Sequence, residues 1–388
     1  MNQREIVAEP SAEGRLGRRH RISSIAAILA GLLTTALAYF FQQSLFGDLH
    51  NYPLTVLVFL WMFGVMLACA FSVVRHADAV ARHLGEPYGT LVLTISVIVI
   101  EVSLMAAIIL HGENNPTLAR DAMFATLMIV LNGMVGTALL MGAMRYWEQE
   151  YNLEGARSFL VVIASLAVFS LIMPDLTKTE PDPSIAPFQA GLFAAITILF
   201  YAIFVAIQTM RHRSFFAEPV NGKGEAAAYL AAHQTQSVGP LRYHVVMLLL
   251  TLAPVVALST FLAIIVDFGI EHLGAPAPLG GILIAILVLS PEGLTAFHAA
   301  LANQLQRAVN VCLGSALATI GLTIPAVLAI GLIAGQEVHL GLDRTDAALL
   351  VLTLFVSALT FGGARTNVLQ GTVHLLLFVV YIALIFSP

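Results

Sequence analysis

Apolar stretches of membrane-spanning length recur eleven times along this chain of 388 residues, near 23–46, 54–75, 89–111, 122–144, 158–174, 187–210, 243–267, 278–302, 308–334, 346–362 and 367–386. A helix rises 1.5 Å per residue, so a hydrocarbon core about 30 Å thick takes about 20 apolar residues. No water reaches that core to satisfy backbone N–H and C=O groups, so each run is read as an α-helix. Composition agrees. Only 11% of residues are charged and 59% are hydrophobic, against roughly 25% charged in soluble domains. The expected fold class is an all-α integral membrane protein with about eleven transmembrane helices. The run after Arg21 is too long for a signal-peptide core and no small-residue cleavage site follows it, so it is read as the first span. Cys69 and Cys312 lie inside apolar runs without CxxC or Cys/His spacing and are read as packing residues.

The basic residues give orientation. With a cytoplasmic N-terminus, only Arg120, Lys178 and Arg344 of the 18 Lys and Arg residues fall outside; the other fifteen fall inside. Cytoplasmic loops are enriched in Lys and Arg, so this split supports both the span count and the orientation, with the C-terminus outside. The expected organisation is a cytoplasmic tail over 1–22, an extra helix over 23–46, a first half over 54–210, a cytoplasmic linker over 211–242 and a second half over 243–386. The linker reads as flexible, with Glu225–His233 as a candidate short amphipathic helix.

Nearly all of the 23 acidic residues lie in loops or at helix ends. Glu101 and Glu292 lie mid-span. A charged side chain at the bilayer centre costs at least about 2.5–3.5 kcal/mol on insertion scales, so each must face the bundle interior or a water-filled cavity. Glu101 belongs to span 3 and Glu292 to span 8. Spans 2–6 and 7–11 are five-helix halves that start from opposite sides, the arrangement of a 5+5 inverted-topology repeat with its site at the midplane. At 100° per residue Thr90 and Thr94 share the face of Glu101, while Thr295, Asn303 and Gln306 fall near that of Glu292. Ser96 and Ser103 point elsewhere and are expected to bond backbone carbonyls. Pro291 removes a helical N–H beside Glu292, which predicts either a kinked or broken site helix or a simple packing kink. Spans 4 and 9 carry polar and small residues deep in the membrane: Asn132-Gly133 and Gly136 in one, Asn310, Gly314-Ser315, Thr319 and Thr323 in the other. These are read as close-packing positions, with Asn132 the best additional ligand.

Hard cations such as Ca²⁺ and Na⁺ take oxygen ligands, and no Cys or paired His is placed for a soft metal. Hydrocarbon surroundings disfavour the charged form of an acid. A site of two such acids is stable when protonated or metal-loaded and costly when empty. Alternating access restricted to loaded states then couples metal export to proton import, with one Ca²⁺ for two protons the simplest exchange.

The segments Gly85-Glu86-Pro87-Tyr88-Gly89 through Ile100-Glu101-Val102-Ser103-Leu104, Leu289-Ser290-Pro291-Glu292-Gly293-Leu294-Thr295-Ala296 and Asn303-Gln304-Leu305-Gln306-Arg307 into Asn310-Val311-Cys312-Leu313-Gly314-Ser315 resemble the calcium/cation antiporter superfamily, specifically bacterial ChaA-type Ca²⁺/H⁺ (Na⁺/H⁺) antiporters of the calcium/proton exchanger group. The resemblance spans about 23–386. It implies that Glu101 and Glu292 match the essential glutamates of two alpha-repeats. It also implies an extra first helix packed outside the five-plus-five repeat. The expected metal ligands are Glu101 and Glu292, joined by Asn132, Ser290, Thr94, Thr295 and Ser315. The family's Asn residues before each glutamate are replaced by Ile98-Val99-Ile100 and Leu289-Ser290-Pro291, and its Gly-Ser pair in the first repeat reads Asn132-Gly133, which leaves Ca²⁺ against Na⁺ or K⁺ open.

An enzyme is not expected: an intramembrane protease needs HExxH, a Ser/His pair or GxGD in a span, and none is present. A cation channel would show a continuous polar pore rather than two isolated acids. His298 is read as a packing or interfacial residue, with proton relay the alternative. His76, His83 and His244 are placed at cytoplasmic ends, facing water. The expected partners are the lipid bilayer of a bacterial inner membrane and the transported cation and proton. No cofactor and no nucleic acid are implied, and no feature fixes an oligomeric state.

Overall fold

The protein is described from a computed structural model covering residues 12–85, 88–111, 116–176, 187–218, 239–276, 278–336 and 338–386. The candidate helix over 225–233 lies outside these residues. Eleven helical spans follow the apolar runs: α1 (Ala12–Phe40), α2 (Tyr52–Leu84), α3 (Tyr88–His111), α4 (Leu118–Met128, a π-helical turn Ile129–Met134, then Val135–Tyr146), α5 (Leu153–Ala167, a π-turn Val168–Ile172, then Met173–Leu176), α6 (Pro187–Ala206 with the π-turn Ile207–Arg211), α7 (Leu241–Leu273), α8 (Pro278–Leu301), α9 (Leu305–Ala318, a π-turn Thr319–Thr323, then Ile324–Ala334), α10 (Arg344–Thr360) and α11 (Val368–Phe386). Among the described residues, ten are long and apolar enough to cross a bilayer; α10, at 17 residues, is the short one. Helix α1 begins at Ala12, well before the residue-23 start read from hydropathy.

The two halves repeat one plan. Helices α2 and α7 each have 33 residues, and α3 and α8 each have 24. The third helix of each half is interrupted midway by a π-turn. Each half has an odd number of spans, so the repeats run in opposite directions across the bilayer. Pro291 does not break α8, which runs unbroken past it. The interruptions fall in α4 and α9 instead, where π-turns leave backbone groups outside the regular ladder, a feature common at functional sites.

Apolar surface gains nothing by moving from lipid to protein, so contact between spans depends on close packing. Two buried clusters result. One joins α1, α2 and α7 to one side of α3 and α8 through Met62, Met66, Cys69, Leu258 and Leu287. The other gathers α4, α5, α6, α9, α10 and α11 around Phe159, Leu166, Leu313, Ile320 and Tyr381. Glu101 and Glu292 sit on the helices shared between them. Away from the membrane core, β1 (Gln149–Glu150) pairs antiparallel with β2 (Arg365–Thr366). There Arg365 holds Glu150 at 2.6 Å and Arg157 donates to the Gly362 carbonyl at 3.0 Å.

Helices α4 and α11 approach each other closely through their backbones. A Cβ on Gly371 would lie 2.6 Å from the Leu140 backbone nitrogen, and one on Gly136 would lie 2.9 Å from the Leu375 nitrogen. Backbone cannot step aside as a side chain can, so overpacking here is costly. Gly371→Ala is expected to destabilise the protein by about 1–3 kcal/mol, read as a lowered melting temperature in detergent. Gly64→Ala, at a helical position with open space around it, is the control and is expected to leave melting unchanged or raise it slightly.

Candidate functional site

Helices α3 and α8 carry their glutamates into the protein interior. Glu101 is 2% exposed. Its Oε2 accepts hydrogen bonds from the Thr319 hydroxyl at 3.0 Å and the Thr323 hydroxyl at 2.9 Å. Both threonines belong to the π-turn of α9, and the wider turn brings i and i+4 hydroxyls onto the same carboxylate oxygen. One turn earlier on α9, Ser315 hydrogen-bonds Glu292, and Glu101 is near enough to Glu292 to repel it electrostatically. Among the described residues, Glu101 Oε1 and Glu292 Oε2 are buried without a hydrogen-bond partner. Glu101 is thus anchored by two hydroxyls of α9, Glu292 interacts with a third, and each keeps one oxygen free. Polar atoms left unmatched in a protein interior are costly.

Both glutamates line a cavity of about 730 Å³. Its mouth is rimmed by Arg75, Asp78, Arg213 and Arg307, and its deep wall by Glu101, Val288, Glu292 and Thr319. Met105, Ile108, Ile284 and Val327 of the same helices are buried and do not line it. Near the mouth, Asn310 donates to the Phe216 carbonyl at 2.7 Å, and Phe216 packs edge-on against Phe159 and Phe204. This pins the start of the linker over the rim.

Thr94, Thr295, Ser315 and His298 line the same cavity as the glutamates. Thr94 is hydrogen-bonded to Tyr201, and Thr295 donates to the Pro291 carbonyl at 2.9 Å. Two expected ligands lie elsewhere. The Ser290 hydroxyl turns back to the Ile286 carbonyl of its own helix and does not line the cavity. Asn132 is fully buried and also absent from the lining; its amide donates to Thr353 Oγ1 at 2.9 Å and its carbonyl faces His374 Nδ1 at 3.2 Å. Of the other face-sharing residues, Gln306 bonds Asn310 at 2.8 Å and accepts from the Asn152 N–H. Ser96 and Ser103 bond the Val92 and Val99 carbonyls, as expected. His76 does not face water: it is 4% exposed, with its Nδ1 2.9 Å from His244 Nδ1. Thr319 and Thr323 stand out in the sequence as deep polar residues, but their role as partners of Glu101 was missed. Finding it requires the π-turn, which hydropathy does not reveal. Tyr201 gave no signal, since an aromatic residue in an apolar run reads as packing.

Glu218 lies just outside the mouth. Burial pushes its carboxyl up to about 7 from an ordinary value of 4.5, although the Arg307 guanidinium pulls it the other way. The folded protein therefore holds a proton over pH 4.5–7 that the unfolded chain has released, and folding is penalised as pH rises through that window. Glu218→Gln is expected to raise the melting temperature at pH 8 and leave it unchanged below pH 4.5. An equal shift at both pH values would contradict the burial of this carboxyl.

The sequence signature of the sodium/calcium exchanger protein family covers residues 54–210 and 243–387. The chain is 38% identical over 335 residues to the putative ionic transporter y4hA of Sinorhizobium fredii (strain NBRC 101917 / NGR234), covering 86% of this chain and 90% of that one. It is 37% identical over 353 residues to the sodium-potassium/proton antiporter ChaA of Escherichia coli (strain K12), covering 88% and 92%. The solved structure of the Ca²⁺/H⁺ antiporter protein YfkE has the same fold, with a TM-score of 0.68 at 16% identity, covering 96% of this chain and 100% of that one. The chain is a multi-pass membrane transporter of cations and belongs to the sodium/calcium exchanger family.

Proposed function

We propose that the protein exchanges a cation for protons at Glu101 and Glu292 by alternating access. The observation that carries this reading is the pair of free carboxylate oxygens, one on each of two glutamates that line one cavity. Hydrocarbon penalises an uncompensated charge, so both carboxylates are kept loaded, by protons or by a cation. The occluded protein then has two stable forms and one costly one, and that difference is the coupling. The cavity rim carries Arg75, Arg213 and Arg307, all on the face that the distribution of basic residues assigns to the cytoplasm. The form described here is therefore inward-open, in a bacterial inner membrane with a cytoplasmic N-terminus and an external C-terminus.

Two carboxylates balance the charge of one Ca²⁺ for two protons. Their oxygens, with Ser315, Thr319 and Thr323, supply much of the six-to-eight-oxygen shell that Ca²⁺ takes, and cavity water completes it. The second reading is Na⁺/H⁺ or K⁺/H⁺ antiport. It is favoured by the 37% identity to a sodium-potassium/proton antiporter, and by the apolar Ile98–Ile100 stretch, which offers no side-chain oxygen beside Glu101.

In everted membrane vesicles holding a pH gradient, added Ca²⁺ is expected to collapse the gradient. Collapse by Na⁺ or K⁺ but not by Ca²⁺ would establish the second reading. Glu101→Gln and Glu292→Gln are each expected to reduce exchange at least about a hundredfold, the scale of losing a buried charge partner, with normal membrane insertion. Full activity in either variant would overturn the site.

A further inference from the structure

The two halves present their π-turns differently. The 191 residues that separate Glu101 from Glu292 also separate Met128 from Thr319 and Asn132 from Thr323. In the second half these matched positions are hydroxyls, and both donate to the glutamate of the opposite half. In the first half they are Met128 and Asn132, and neither lines the cavity. The π-turn that carries Asn132 nevertheless packs on α8 beside its glutamate: a Cβ on Gly293, next to Glu292, would lie 3.6 Å from the Met134 side chain.

Asn132 is held away from the cavity by a closed set of hydrogen bonds. Its carbonyl oxygen is an acceptor only, so His374 must donate from Nδ1. The neutral ring then accepts at Nε2 from the Thr360 hydroxyl at 3.0 Å. The Asn132 amide donates to Thr353 at 2.9 Å. His374, Asn132 and Thr353 are all fully buried. The backbone approach at Gly136 and Gly371, one turn from Asn132 and His374 respectively, fixes α4 against α11 so that this register cannot slide.

We infer that His374 is a positioning residue for cation exchange: through Asn132 it keeps the π-turn of α4 withdrawn from the cavity, so that only the α9 turn engages a glutamate in the inward-open form. Inverted repeats are related by a pseudo-two-fold axis in the membrane plane, and alternating access moves one against the other around the site. By that symmetry the α4 turn is the one released toward Glu292 when the cavity opens to the other side. His374 thus sets how readily Asn132 joins the cation site. This inference rests on the exchange reading given above.

The test uses the full chain in proteoliposomes, with Ca²⁺ and Na⁺ as probes and a pH gradient as driving force. His374→Leu leaves Asn132 without its donor and frees it toward the cavity. Cation KM and kcat are then both expected to fall, by about threefold to thirtyfold, the range of coupling effects carried through such networks. Thr353→Val removes the other anchor and is expected to move both constants in the same direction. His374→Gln retains a donor and is expected to behave as wild type. In an Asn132→Ala background, His374→Leu is expected to have no further effect. An effect of equal size in that background would overturn the inference. So would a fall in kcat without a fall in KM, or a failure of Gln to rescue. Activity retained by Glu101→Gln would instead overturn the glutamate site, and the Asn132/His374 cycle would still be scored by itself.

Discussion

The energetic cost of stranding two carboxylates in a medium of low dielectric governs this structure. An uncompensated charge at the bilayer centre is tolerated only where protein, water or an ion receives it. Glu101 accepts from two α9 hydroxyls, Glu292 interacts with a third, Ser315, and each keeps one oxygen free. A fully satisfied pair would be structural and inert. A half-satisfied pair that lines a cavity can accept positive charge, and on the proposed reading protons and hard cations supply it.

The rest of the fold positions that pair. Helices α3 and α8 lie between two separate apolar clusters, one built on α1, α2 and α7 and the other on α4 to α6 and α9 to α11. A site at the boundary between two packed bodies can change its exposure without either body repacking. Densely packed groups of helices move as units rather than deforming continuously. Arg75, Asp78, Arg213 and Arg307 share the lining of the cavity with the two glutamates, while Met105, Ile108, Ile284 and Val327 of the same helices are buried in apolar packing.

Much of this was legible in the sequence, for identifiable reasons. Hydropathy over twenty-residue windows located the membrane-length helices among the described residues, because a bilayer imposes one length scale on all of them. Helices α2 and α7 proved longer than their apolar runs, since helix extends past the membrane into regions where polar residues such as Arg75 and Asp78 carry it on. Helical periodicity placed Thr94 and Thr295 in the cavity with the glutamates. It failed at Asn132 and Ser290, whose polarity was recognised but whose partners were not. Ser290 bonds its own helix. Asn132 is bound by Thr353 and His374, more than two hundred residues away, and no local pattern encodes such a distant contact. The π-turns were also invisible, because they change helical phase without changing composition. They explain why Thr319 and Thr323, rather than residues beside Glu292 on α8, hold Glu101.

Proton release on cation binding tests the central claim most directly. Purified protein in weakly buffered detergent at pH 7 is titrated with Ca²⁺, and then with Na⁺, while a pH indicator records free protons. If the two glutamates hold either protons or a cation, binding of the transported ion must expel protons. Glu101→Gln and Glu292→Gln must each abolish or reduce that release. Cation binding at full affinity with no proton released would contradict the mechanism.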